Sequence, residues 1–475
     1  MRTEKIMRNC WLLLLPALTM LASSCSGSSD AVVESNDYCY IKSVTLGTVK
    51  RKLDIRDRQG GLIRTTNSTF TGSSYAMTID HRNGIIENRD SLPFGSQLDA
   101  VLATIAFDGS VLTYRQKGSE AWTAYNATDS LDLTRPLELL LTSNDNQSSR
   151  TYTFKVNVHQ QEGDSLYWEL QQDEVEPLAD LTDMKAFFLD DQLMVIGKSL
   201  DERLFSLFFR RGLGRGPSPS PTGEGWGEAF PLTGGEGSEV DVQSLRQHDG
   251  MLYLSTSDGR ILSSSDATTW QQVGSAYPGP LTLVEKTDDF FYAISEGKML
   301  RSTDASTWEE DQLDSDPLLL PAADIRALTL QQANGNSRIV MVGKSESSLG
   351  AVVWNKMWNE SEKEDKAMWV FFPWSQDNTI PCPKLEHFNL LAYDGKCIAF
   401  GGASADQSHK ALDALYISQD YGITWRPSTE LHLPFELEGT EGCVASAVDE
   451  DNFIWIITNA QVWRGRLNRL GFAQQ

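Results

Sequence analysis

The chain has 475 residues, with 65 Asp and Glu against 41 Lys and Arg and a formal net charge of −24. That length points to two or three domains, and that charge excludes a surface built for nucleic acid or anionic lipid headgroups. The acid is unevenly spread: residues 25–165 hold 17 acidic and 14 basic side chains, net −3, and residues 166–475 hold 47 and 24, net −23.

The first 24 residues read as an export signal. Arg2, Lys5 and Arg8 form a basic start, and Trp11 to Ala22 is an apolar run. At twelve residues it is shorter than the roughly 20 a spanning helix needs. It ends in Leu21-Ala22-Ser23-Ser24-Cys25, which resembles a bacterial lipobox. The resemblance implies that Cys25 is lipidated and anchors the protein to the cell envelope, with the outer membrane the expected site. The alternatives are an ordinary signal with a chance cysteine and an uncleaved anchor. Residues 25–37 are then a polar tether. Cys39, Cys382, Cys397 and Cys443 remain in the exported chain. An exported chain can form disulfides, and Cys382 with Cys397 is the most plausible pair, although buried free thiols are common.

Residues 38–160 predict a small β domain. Ile41, Val44, Leu46 and Val49 lie in a strand-rich stretch, and Asn83-Gly84 and Asp108-Gly109 are turn signals. Pro136–Leu141 and Tyr152–Val158 form a hairpin pattern, with Tyr152, Phe154, Val156 and Val158 at the period of a half-buried strand. About seven short strands without a helix-period stretch suggest an Ig-like β-sandwich.

From residue 166 onward the chain repeats. Ser264-Ser265-Asp266-Ala267-Thr268-Thr269-Trp270, Ser302-Thr303-Asp304-Ala305-Ser306-Thr307-Trp308 and Ser418-Gln419-Asp420-Tyr421-Gly422-Ile423-Thr424-Trp425 each follow a short apolar strand. A repeated strand–turn–Trp unit marks a radial fold. Asp365 to Trp369 keeps the Asp-to-Trp spacing of the shorter copies and reads as a degenerate one. Hairpin signals recur near 190–191, 249–250, 288–289, Asn334-Gly335, 394–395 and 450–452. Six units, hence six blades, is the expected count. Arg210 to Gly227 is Gly, Pro and Ser-rich where the first blade should carry its turn, and is expected to be a disordered insertion. The last unit lacks an outer strand. Leu166-Tyr167-Trp168-Glu169-Leu170 is expected to supply it, since an unpaired edge is a liability.

The Ser-x-Asp-x-Gly-x-Thr-Trp pattern resembles the Asp-box, or BNR repeat, of sialidases, sortilins and related β-propellers; residues 418–425 match it throughout. The resemblance implies an all-β protein and structural roles for Asp266, Trp270, Asp304, Trp308, Asp365, Trp369, Asp420, Gly422 and Trp425. The whole chain is similar to a group of bacterial lipoproteins with an N-terminal Ig-like domain and a C-terminal Asp-box propeller. The residues that carry this are 152–159, Asp164-Ser165-Leu166-Tyr167-Trp168 and the ending Val462 to Phe472.

Chemistry is harder to find. Sialidases need an arginine cluster and a Tyr–Glu pair, but no Arg-apolar-Pro triplet precedes a box, and Arg203, Arg260, Arg301, Arg326 and Arg338 read as strand-end residues without shared context. The six histidines are scattered, without HExxH or HxH spacing. No metal, cofactor or catalytic residue is expected. Trp354, Trp358, Trp369 and Trp374 crowd together. Three read as blade core, and Trp358, placed in a loop, is the candidate ligand contact. The expected function is a non-catalytic binding or scaffolding module for a glycan or a protein. The alternative is a glycan-active enzyme, sialidase-like or lyase-like, with its site in the propeller funnel.

Overall fold

The computed structural model describes residues 37–472 apart from 58, 202, 211–224, 227–229, 234–238, 333–334, 346–347, 349, 360–366, 374, 376–377 and 405–407. The export signal, Cys25, Asn334, Asp365, Trp374 and most of the Gly/Pro/Ser-rich segment therefore lie outside the described residues. Among those described, no helix is long and apolar enough to cross a membrane.

The N-terminal domain is all β. Tyr40–Leu46 pairs with Val101–Asp108 in one sheet. A six-stranded sheet runs Met77–Asp80, Ile85–Asn88, Ser149–Lys155, Leu137–Thr142, Val111–Gln116, Thr123–Ala124. Alternation builds the core: Val101, Ala103 and Ile105 from one sheet meet Leu137, Leu139, Leu141, Tyr152 and Phe154 from the other. The hairpin read from the sequence is present, with Leu137 opposite Phe154. A third sheet was not foreseen. Thr48–Arg56 and Leu62–Thr71 form a long hairpin whose second strand is almost wholly exposed. Without a buried face it carries no apolar alternation for a sequence reading to detect.

The rest of the chain is a six-bladed β-propeller. Numbering blades in chain order, the innermost strands are Leu181–Leu189, Val240–His248, Thr282–Lys286, Ala323–Gln331, Asn389–Tyr393 and Val444–Val448. Each pairs antiparallel with the next strand through a short hairpin. Asp190, Asp191, Asp249, Gly250, Asp394, Gly395 and Asn452 take positive φ there, which explains the Asp/Asn/Gly usage. The hydrophobic core is divided into six clusters, each made by two neighbouring blades. The cluster of blades six and one joins Trp455, Ile457 and Val462 to Leu193, Val195 and Phe209, so the ring is closed by packing.

It is also closed by hydrogen bonding. Leu166–Gln172 forms the outer strand of blade six, with Trp168 opposite Gly465 and Leu170 opposite Trp463. The Trp168 indole donates to the His432 carbonyl at 2.7 Å. Blade one departs from the expected insertion at both ends. Gly225–Trp226 pairs with Phe209 and Arg210 as an outer strand, and the Trp226 ring packs edge-on to Phe209 at 5.6 Å.

Closure has a steric signature. A Cβ at residue 465 would overlap the Trp168 ring. Gly465→Val is therefore expected to destabilise the propeller by about 1–3 kcal/mol, as overpacking does. Trp168→Ala should cost less in that background than in the parent, because the clash is gone. Melting temperatures of the two single variants and the double variant measure this; strict additivity would mean the ring does not lie on residue 465.

Candidate functional site

The box turns come first, because they frame the ring. Asp266 Oδ1 accepts from the Thr268 and Thr269 amides, both at 2.8 Å, and from Ser264 Oγ at 3.0 Å. Asp304 does the same with Ser306, Thr307 and Ser302. Asp420 accepts from the Thr424 amide and hydroxyl. Burial works to raise the Asp266 pKa, but these donors outweigh it and hold the carboxyl at about 2. The two turn lengths explain the Ala/Gly difference. The short turns need one residue at positive φ, Ala267 or Ala305; the long one needs two, Tyr421 and Gly422. Gly422 sits at φ +84 with Val340 close by, a position that suits only glycine.

The box tryptophans bind blade to blade. The amides of Trp270, Trp369 and Trp425 donate to Thr233, Gln312 and Ile380, each on the preceding blade's tail. The indoles of Trp270 and Trp425 donate back to Ala267 and Gly422. Trp308 is only half-buried, and its buried Nε1 has no partner. The Trp369 indole donates to Asp311 Oδ2 at 3.0 Å, and the same oxygen receives Lys356 Nζ at 2.9 Å.

Among the described residues four cysteines are free: Cys382, Cys397 and Cys443 are buried and Cys39 partly so. Burial pushes the Cys397 and Cys443 thiols up to about 12, so they are unreactive apolar fillers.

Chemistry converges elsewhere, at one mouth of the central channel. A cavity of ≈ 420 Å³ opens where the hairpins between first and second strands lie. Its walls come from blade one (Lys185, Phe187), blade two (Arg246, His248), blade three (Glu285, Lys286, Asp288) and blade four (Thr329, Gln331, Trp358). The expected contact Trp358 is thus in this cavity, although it ends a strand, Val352–Asn359, and is half-buried rather than looped out. It packs against the core shared by blades three and four. Trp354 and Trp369 are fully buried core.

Glu285 is 7 % exposed. One carboxylate oxygen accepts from Thr329 Oγ1 at 3.0 Å, and the other from the Lys286 amide at 3.0 Å. Arg246 is 6 % exposed. Its Nε donates to the Val284 carbonyl and its Nη1 to Gln243 and Leu245, while Nη2 has no partner. Arg326, read from sequence as a strand-end residue, is buried in the middle of blade four's inner strand. A bulge between Ala323 and Arg326 turns it so that Nε donates to Phe388 of blade five at 2.8 Å. Both arginines thus replace the backbone bonds that inner strands of different blades cannot make. At the rim, His248 Nε2 lies 2.9 Å from Asp288 Oδ1 and 3.7 Å from Asp249 Oδ2. These three could in principle share a cation, a grouping that residue spacing did not suggest, but here histidine occupies the place between the acids.

Lys185 is the residue that sequence reasoning missed most clearly. It sits mid-strand between Asp183 and Phe187 and makes no hydrogen bond or ion pair among the described residues. Burial, with Arg246 and Arg326 nearby, lowers its pKa to about 7, against the opposing pull of Asp183 and Glu285. The available signal was a charged residue on alternate positions of an otherwise apolar inner strand.

Fold and site together define a two-domain all-β protein whose C-terminal ring is a six-bladed propeller with Asp-box turns. The chain belongs to the DUF6242 family: residues 162–475 match its beta propeller domain, and residues 44–156 its N-terminal domain, a domain of unknown function. No curated protein matches the chain. Solved propellers do resemble it in architecture. A GH93 alpha-L-arabinofuranosidase of Fusarium graminearum, in complex with arabinobiose, is 12% identical with a TM-score of 0.35, over 64% of this chain and 98% of that one. A streptogramin B lyase is 9% identical (TM-score 0.32, 63% and 97% covered). BamB from Moraxella catarrhalis is 14% identical (0.30, 60% and 83%). At these values no activity carries over.

Proposed function

We propose that this is a lipid-anchored envelope protein, held to the outer membrane through Cys25, whose Ig-like N-terminal domain carries a non-catalytic glycan-binding propeller. The observation that carries the binding reading is the channel-mouth cavity with Trp358 in its wall. At ≈ 420 Å³ it suits a small ligand rather than a protein surface, and a half-buried indole among polar groups is the usual platform for a sugar face. The enzyme alternative is weaker because both carboxylates in the cavity are already engaged. Glu285 is held by Thr329 and a backbone amide, and Asp288 by His248, so neither stands free to protonate a leaving group.

The test incubates the purified chain with a panel of defined neutral and acidic oligosaccharides and follows both retention and product. The expected result is retention of at least one oligosaccharide unchanged, lost in Trp358→Ala. New reducing ends, absent from a no-protein control, would overturn the non-catalytic reading. Membrane fractionation of Cys25→Ser tests the anchor: the variant should leave the membrane fraction, since acyl chains supply the attachment.

A further inference from the structure

We infer that the channel-mouth cavity is built for an acidic sugar, a carboxylate-bearing saccharide whose anionic group meets Lys185 in the positive field of Arg246 while its ring stacks on Trp358. The inference rests on the glycan-binding reading above and narrows it to a ligand class.

Charge carries the first half. The chain has a net charge of −24, yet the cavity gathers Lys185, Arg246 and Lys286 against two carboxylates, Glu285 and Asp288. Lys286 is spent: its Nζ donates to the Thr287 and Asp288 carbonyls. Glu285 and Asp288 are spent likewise. What remains is Lys185, half-buried and without a side-chain hydrogen-bonding partner among the described residues, near a guanidinium that is 6 % exposed. A carboxylate gives that ammonium the charge-assisted partner it lacks, and the Arg246 charge adds to the attraction. Arg246 clamps blade two to blade three whether or not a ligand is present; Lys185 has no such structural duty. The charged groups that act on Lys185 are Asp183 on its own strand, Arg246 on blade two, Glu285 on blade three and Arg326 on blade four. The arginines disfavour its charged form. A bound anion reverses that, so binding takes up a proton.

Shape carries the second half. Trp358 is held by its strand and by the core shared by blades three and four, with Thr329 and Gln331 in the same cavity wall. An inorganic anion would leave this aromatic wall unused.

The experiment is calorimetric titration of the purified full chain with glucuronate, glucose and acetate at millimolar concentration. Glucuronate should bind at least about tenfold more tightly than either of the others. Lys185→Met should remove that preference, Lys185→Arg should restore much of it, and Trp358→Ala should weaken glucuronate by about tenfold. Lys185→Met deletes a half-buried unpaired charge, so its melting temperature should not fall, and this shows that lost binding is not lost fold.

The pH dependence has a definite sign. Affinity should be full below about 7, the free-state pKa of Lys185, and fall as pH rises towards the higher pKa of the bound state. Proton uptake, read by repeating the titration in buffers of different ionisation enthalpy, should vanish in Lys185→Met. Equal affinity for glucose and glucuronate, with Trp358→Ala weakening both, would sink the acidic-sugar inference and leave the binding module standing. Acetate binding as tightly as glucuronate would reduce the site to an anion hole and also sink it. Failure of all three probes would overturn the inference, and if the oligosaccharide panel is not retained either, the binding reading falls with it.

Discussion

Asp311→Ala is expected to destabilise the propeller by about 3–5 kcal/mol, the cost of stranding one member of a buried ion pair. The Asp311 and Lys356 side chains are 1% and 0% exposed. Three donors converge on the carboxylate. Lys356 Nζ lies 2.9 Å and Trp369 Nε1 3.0 Å from Oδ2, and the Gln312 amide lies 2.9 Å from Oδ1; the Arg301 guanidinium adds a charge 3.6 Å from Oδ1. Lys356 also donates to the Ala367 carbonyl at 2.6 Å and lies 5.2 Å from the Tyr292 ring centre. Removing the acid leaves an ammonium and an indole N–H buried without their acceptor. Thermal unfolding should show the loss as a clear fall in melting temperature. The pair need not stabilise relative to apolar residues, because both charges lose their water. Asp311→Leu combined with Lys356→Met is therefore expected to recover most of what Asp311→Ala loses. A double variant as unstable as the sum of the single variants would show that the pair is not the origin of the effect.

This pair explains how blade four manages with a degenerate box. At Trp270 and Trp425 the turn itself provides the carbonyl for the indole N–H. At Trp369 the acceptor comes from Asp311, on the tail of blade three, and Lys356 compensates its charge. The interblade clamp is kept, and the indole is held by a contact between residues 58 positions apart.

That difference marks what residue order could and could not reveal. Box turns and hairpins are local, so Asp266 with Trp270 or Asp394 with Gly395 announce themselves within a few residues, and counting them gives six blades. The closing strand was legible because an unpaired edge demands a partner and only Leu166–Gln172 had the right form. The channel was not legible. Lys185, Arg246, Glu285 and Trp358 come from four blades and share no spacing; only ring closure assembles them. Trp358 was singled out as an aromatic expected in a loop, whereas it lies in the strand Val352–Asn359. Arg326 was misplaced because its direction depends on a bulge, which residue type does not encode.

Trp425→Ala is expected to cost about 3–5 kcal/mol, the range for deleting a fully buried aromatic, and Trp308→Ala distinctly less. The three intact boxes look alike in sequence, but the ring loads them differently. Trp425 is 1% exposed, in the core between blades four and five. Its indole donates to Gly422 at 2.7 Å, and its amide to Ile380 on the preceding blade's tail at 2.9 Å. Deleting the ring opens a cavity against Tyr416, Val340 and Val353, and exposes the Gly422 carbonyl that it covers. Trp270 is close behind, 3% exposed with the same pair of bonds. Trp308 is half-buried beside Tyr277, and its Nε1 is already without a partner. Truncation there removes less buried area and relieves an unsatisfied donor, two effects of the same sign. Melting temperatures should therefore rank Trp425→Ala lowest, Trp270→Ala next and Trp308→Ala nearest the parent. Equal losses at all three positions would mean that the box sequence itself, and not its burial and interblade bonds, sets the stability of each blade.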